Sequence, residues 1–226
     1  MKPQDAGRWI RTGLWALPGS WLLTAWSSLE PQPDQAADPV AWARFVSSDA
    51  YQVSHLIGST GGTILAVFGV FALGCHLAGS RSGRLALAAT VTAAAGTALL
   101  LVPAVISTFV TPAVGRAYLA GNQDVMKLEF PESMTAAFMA GLLLAFVGTV
   151  LLGVAVSRSR VLPRWAGAVW VAGAVVFYPL GVVLGQATTG SSLPTQSAGA
   201  ALLAGAGGWI AWRGSARGRR ESPPAG

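Results

Sequence analysis

Six long apolar runs, none containing Asp, Glu, Lys or Arg, govern what this chain can fold into: Thr12 to Leu29, Val53 to Leu77, Leu85 to Val110, Ser133 to Val156, Trp165 to Leu184 and Pro194 to Trp212. A helix needs about 20 mostly apolar residues to cross roughly 30 Å of hydrocarbon, and each run is close to that length. Only 11% of the residues are charged against 53% hydrophobic, whereas soluble domains carry about a quarter charged residues. The expectation is an all-α polytopic bundle of six spans in a single transmembrane domain over residues 1–213. Outer segments occupy 30–52 and 111–132, and a disordered, basic cytoplasmic tail covers 214–226. Pro18, Pro103 and Pro179 fall inside runs and are expected to kink them, because proline removes a helical hydrogen bond.

The connections between the runs divide by charge. Twelve of the fifteen basic residues lie before the first run, between the second and third, between the fourth and fifth, and after the sixth. The other connections hold Arg44, Arg116 and Lys127 together with seven of the nine acidic residues. Positively charged loops stay in the cytoplasm, which puts both termini inside a bacterial plasma membrane. The net charge of +6 therefore reads as a topology signal, with membrane lipids as partners and no nucleic acid. A cleaved signal peptide is the rival reading of the N-terminus, but Pro18, Trp15, Trp21 and Trp26 within the run and the lack of an A-x-A site speak for a retained span.

An internal repeat is visible. Gly62, Leu65, Ala66, Gly69, Leu73, Gly74, Ser80 and Arg81 recur 79 residues later as Gly141, Leu144, Ala145, Gly148, Leu152, Gly153, Ser159 and Arg160. The shared Ser-Arg turn is the least compositional part of the match. It predicts a pseudo-two-fold pair of helical hairpins, spans 2 and 3 with spans 4 and 5, forming a four-helix core flanked by the first and last spans. Small residues along the runs would let these helices approach closely.

Few residues offer chemistry. Cys75 is the single cysteine, so no internal disulfide or cysteine metal site can form; beside His76 it reads as a buried thiol rather than a nucleophile. His55 and His76, the two histidines, are about 30 Å apart along one helix and cannot share a ligand. The repeat places Met134 opposite His55, and His with Met is an axial haem pair. A haem or copper redox centre at His55 and Met134 is thus one functional reading. The glycines of "GSTGG" at Gly58 to Gly62 lack the lysine and spacing of a phosphate loop and read as helix packing.

Outside, Asp38 can cap a short helix begun by Pro39, with Trp42, Phe45 and Val46 on one face. Together with Tyr118 in the second outer segment, Trp42 and Phe45 form a candidate surface for a partner or the headgroup layer. The series "DPVAWARFV", "HLIGSTGGTILAVFGVFALG", a basic turn and "GRLALAATVTAAAGTALL" resembles the small, Ala-rich, six-span integral membrane proteins of high-GC bacteria, for which no activity is established. That resemblance implies an inner-membrane protein and supplies no catalytic residues. The sequence thus points to a structural or regulatory membrane component, not an enzyme and without a cofactor, that binds another membrane protein or lipid. The alternative is a passive carrier or export subunit for an apolar or neutral solute. A reporter fused after Gln35 is expected outside and one after Ser215 inside; the opposite pattern of reporter activity would invert the topology.

Overall fold

A computed structural model of the chain describes residues 3–189 and 193–220. Part of the polar loop after the fifth run, at 190–192, and the last six residues of the expected tail lie outside the described residues. Every regular element among the described residues is a helix. They are α1 (Pro3–Gly13), α2 (Ala16–Ser27), α3 (Pro39–Val46), α4 (Asp49–Leu77), α5 (Gly83–Leu119), α6 (Glu132–Arg158), α7 (Arg164–Thr188) and α8 (Thr195–Arg220). Four of them, α4 to α7, are long and apolar enough to cross a membrane.

The helices pack side by side in the order α2, α4, α5, α6, α7, α8 and back to α2. They form a closed ring rather than a four-helix core with two flanking spans. α2 and α8 stand between α4 and α7. Trp21 of α2 meets Phe177 of α7 edge to face at 5.1 Å, and Gly207 of α8 fits against Leu17 and Trp170. Glycine and alanine set these distances, since little but close packing and hydrogen bonding holds helices together where the solvent is itself apolar.

The most extensive of these contacts joins α5 to α6. A Cβ on Gly96 would fall on the main-chain nitrogen of Ala145, and a Cβ on Gly148 on the main chain of Ala93. Backbone touches backbone twice here, with nothing flexible to yield. Farther along, Gly141 faces the Leu99 Cβ. Ala93 and Ala145 are fully buried.

The prolines act as their chemistry requires. Without an N–H on Pro18, the Leu14 carbonyl has no partner four residues on. It accepts instead from the Leu17 amide at 3.1 Å, and the first run divides at residues 14 and 15 into α1 and α2. Pro103 precedes a wide π-helical turn at Ile106–Val110, and Pro179 lies within another at Val176–Val183. A third such turn, His55–Gly61, contains glycines rather than proline. Thr60 of that turn hydrogen-bonds to Thr108 of α5 at 2.9 Å and donates to the Ala104 carbonyl at 3.2 Å, so hydroxyls tie these irregular segments together.

At the end of the ring rich in acidic residues, Asp38 accepts from the Ala41 amide at 2.9 Å and caps α3 as expected. The aromatic face of α3 does not lie open to a partner. Trp42 is 4% exposed, and with Ala43, Val46 and Tyr51 it forms a second small core against which Phe45, Tyr118 and Met126 pack. The reason is length: α5 continues past its apolar run to Leu119, and this arm covers the face that the sequence offers to the headgroups. At the opposite end, α8 runs on through Gly214 to Arg220.

Gly148→Val would drive a branched side chain into the main chain of Ala93. It is expected to destabilise the fold by about 3 kcal/mol, read as a lower thermal midpoint of the detergent-solubilised protein. Gly205→Ala, inside α8 where a Cβ meets nothing, should leave that midpoint unlowered or raise it slightly.

Candidate functional site

The turns joining α4 to α5 and α6 to α7 lie side by side because α5 and α6 are in contact. Between them is a cleft of about 930 Å³ whose lining includes Arg81, Arg84, Arg158, Arg160 and Arg164. No carboxylate is among the lining residues. The ion pairs among the described residues are Asp5 with Arg8 and Asp124 with Lys127, and none of the five cleft arginines takes part.

Serines shape both turns. The Ser80 hydroxyl accepts from the Ser82 amide at 3.3 Å, and the Ser159 hydroxyl accepts from the Val161 amide at the same distance. Ser82 donates across the cleft floor to the Ala155 carbonyl of α6 at 2.8 Å, and Ser157 donates to the Arg164 carbonyl at 3.1 Å. Each turn is thereby fastened to a helix, and its arginines project from a fixed frame.

Two helices begin at this cleft. α5 starts at Gly83 and α7 at Arg164, and neither start has a capping side chain: the Ser82 hydroxyl is used on Ala155, and Pro163 has none. Free amides and the positive end of the helix dipole add to the guanidinium charge. The whole arrangement favours an anion with several oxygens, since guanidinium groups bind phosphate in paired hydrogen bonds.

Arg160 has φ of 60°, a left-handed conformation that costs a residue with a Cβ about 1 kcal/mol. The fold keeps an arginine where glycine would be easier, at a position facing the cleft.

The residues singled out from the sequence have other surroundings. His55 stacks on Tyr51 with ring centroids 3.8 Å apart, and its Nδ1 lies 3.0 Å from the Tyr51 carbonyl oxygen. A carbonyl only accepts, so Nδ1 carries the proton. Met134 lines an apolar groove of about 250 Å³ with Leu99, Pro103 and Phe130, and His55 is not part of that groove. The axial pair therefore has separate neighbours. His76 lies against Gly214 at the arginine-rich end, far from His55 on the same helix. Cys75 is exposed, where the sequence suggested a buried thiol. Trp42, Phe45 and Tyr118 do come together, as the small core described above.

Sequence reasoning counted the five arginines as markers of orientation and did not bring them together. The repeated Ser-Arg turn was the signal, since equal turns on adjacent hairpins arrive at one place. Comparisons with protein-family models, curated proteins and solved structures give no match to this chain.

Arg160→Gly should raise the thermal midpoint by relieving the left-handed strain, about 1 kcal/mol. Melting curves of the purified protein read this effect. A glycine variant that is no more stable would show that the turn is relaxed with arginine in place.

Proposed function

We propose that the chain is a six-span plasma-membrane protein, with both ends in the cytoplasm, that serves as a structural or regulatory component by holding an anionic phospholipid at its cytoplasmic face. The observation that carries this reading is the cleft of five arginines without a carboxylate.

Several features support the six spans. α2 and α8 are antiparallel neighbours over the height of the ring. Ser197 donates to the Ser28 carbonyl at one end, and Gly214 meets Leu14 at the other. The seventeen steps from Ser197 to Gly214 correspond to about 26 Å of helix, close to the hydrocarbon thickness. α8 is apolar mainly through Ala and Gly, which makes it weak by hydropathy yet well suited to close packing. The internal repeat is supported by matched details. Both turns use a serine hydroxyl on the amide two residues on. Gly74 faces Thr90, and its counterpart Gly153 faces Val171, the Gly167 carbonyl and Trp170 on the partner helix of the second hairpin.

The arginines support a cytoplasmic orientation of this end, in which the cleft would lie at the level of the inner-leaflet phosphates. Tryptophans mark the same level: Trp165 packs on Trp209, and the Arg213 guanidinium lies 5.2 Å from the Trp212 ring centroid, an arrangement suited to the headgroup zone. Binding is favoured over catalysis because the cleft serines donate to main-chain carbonyls and no base stands beside them.

Each arginine near an anionic surface contributes about 1 kcal/mol, so Arg84→Gln with Arg164→Gln should weaken lipid retention roughly thirty-fold. The test is native mass spectrometry of the full chain from nanodiscs containing equal phosphatidylglycerol and phosphatidylcholine. Phosphatidylglycerol adducts that the double substitution removes are the expected result. Equal retention of both lipids, or a bare chain mass, would overturn the reading.

A further inference from the structure

The ring of helices borders a second space, independent of the arginine cleft. It is a cavity of about 90 Å³ at the middle of the bundle, bordered by α2, α4, α5, α6 and α7. At about 30 Å³ per water, it has room for some three waters or a molecule of similar size.

Its walls differ in chemistry. One wall is aromatic: Trp21 stands edge-on to Trp170, Phe177 and Tyr178, with centroids 6.5, 5.1 and 6.5 Å away. The other carries hydroxyls that are largely committed as donors. Ser20 donates to the Leu17 carbonyl at 2.9 Å, Thr24 to the Ser20 carbonyl at 3.0 Å and Thr63 to the Ser59 carbonyl at 2.6 Å. Tyr178 and Thr149 share a hydrogen bond, and the Trp170 indole donates to the Thr149 carbonyl at 3.1 Å. What these groups present to the cavity is lone pairs and ring faces, which accept hydrogen bonds.

Thr97 is the exception. Thr24, Thr63, Thr90, Thr92 and Thr108 each donate to the carbonyl four residues back. Thr97 also lines the cavity, and among the described residues it has no hydrogen-bond partner. Thr97 is half-buried, and its uncommitted hydroxyl can hydrogen-bond to whatever occupies the cavity. No carboxylate, amine, guanidinium or imidazole lines the space, which disfavours a charged occupant.

We propose that this cavity is a binding site for a small uncharged hydrogen-bond donor, of the class of a short alcohol, anchored by Thr97 and received by the acceptor-rich walls. A ligand of three non-hydrogen atoms gains at most about 1.5 kcal/mol per atom, so binding lies in the millimolar range.

Saturation-transfer NMR tests this on the full chain in nanodiscs, with ethanol as the probe and dimethyl ether as an isomer that cannot donate. Ethanol is expected to receive saturation with a millimolar midpoint, and dimethyl ether should bind roughly two- to ten-fold more weakly. Thr97→Val, which keeps the volume but removes a hydroxyl able to bond to either oxygen, should weaken ethanol and dimethyl ether by a similar factor. Ala66→Phe, which fills the cavity, should abolish transfer to both. Equal transfer to alcohol and ether, or transfer indifferent to Thr97→Val, would overturn the proposal. Empty nanodiscs supply the background for partition into lipid, and a signal no larger than that background would overturn it as well. Should Ala66→Phe fail to fold, the isomer pair and Thr97→Val still decide.

Discussion

Two main-chain contacts, Gly96 on Ala145 and Gly148 on Ala93, fix the rest of this molecule. A bilayer offers helices no hydrophobic reward for leaving lipid, and what remains is the dispersion and dipolar attraction available when backbones touch. That attraction falls steeply with distance, so small residues at the seam determine whether α5 and α6 pair at all. Once they pair, the hairpin of α4 and α5 stands beside that of α6 and α7. The two serine-fastened turns then have to meet, and their arginines have to share one space.

The charge at that space is in tension with itself. Five guanidiniums around an opening repel one another, and two helix starts add to the same sign. A soluble protein would relieve this with interspersed carboxylates. Here seven of the nine acidic residues are in the connections at the other end of the molecule, in keeping with the asymmetry of the loops. An anionic headgroup would complete the structure in the way a counter-ion completes a binding site, which joins the rule for membrane orientation to a specific recognition chemistry.

Much of this was legible in the sequence, for reasons tied to particular residues. Four of the charge-free runs became helices able to cross a membrane, because the cost of an unsatisfied backbone leaves lipid-immersed chain little choice but helix. Asp38 before Pro39 announced a capped helix, and the internal prolines announced irregular turns. What could not be read was lateral. Hydropathy says that α2 and α8 are apolar but not which neighbours they take, so the ring was invisible. Trp42 and Phe45 looked like a free face because nothing in the run around Val110 told that α5 would continue far enough to cover them. The cavity was hidden for a related reason: Ser20, Thr63, Thr97 and Thr149 are ordinary helical hydroxyls until five helices bring them to one point.

The tryptophans at the arginine-rich end lead to a consequence of another kind. Trp9 and Trp15, with Trp165, Trp209 and Trp212, put broad amphipathic rings near one interface, whereas Trp26 and Trp42 are the tryptophans near the other. A protein moored more firmly to one leaflet has to take up changes in bilayer thickness at the opposite end. The π-helical turns of α4, α5 and α7 are all in that half, where a widened turn can shift the local rise without losing its hydrogen bonds. Hydrophobic mismatch would then be absorbed beside the α3 cap while the arginine cleft keeps its depth.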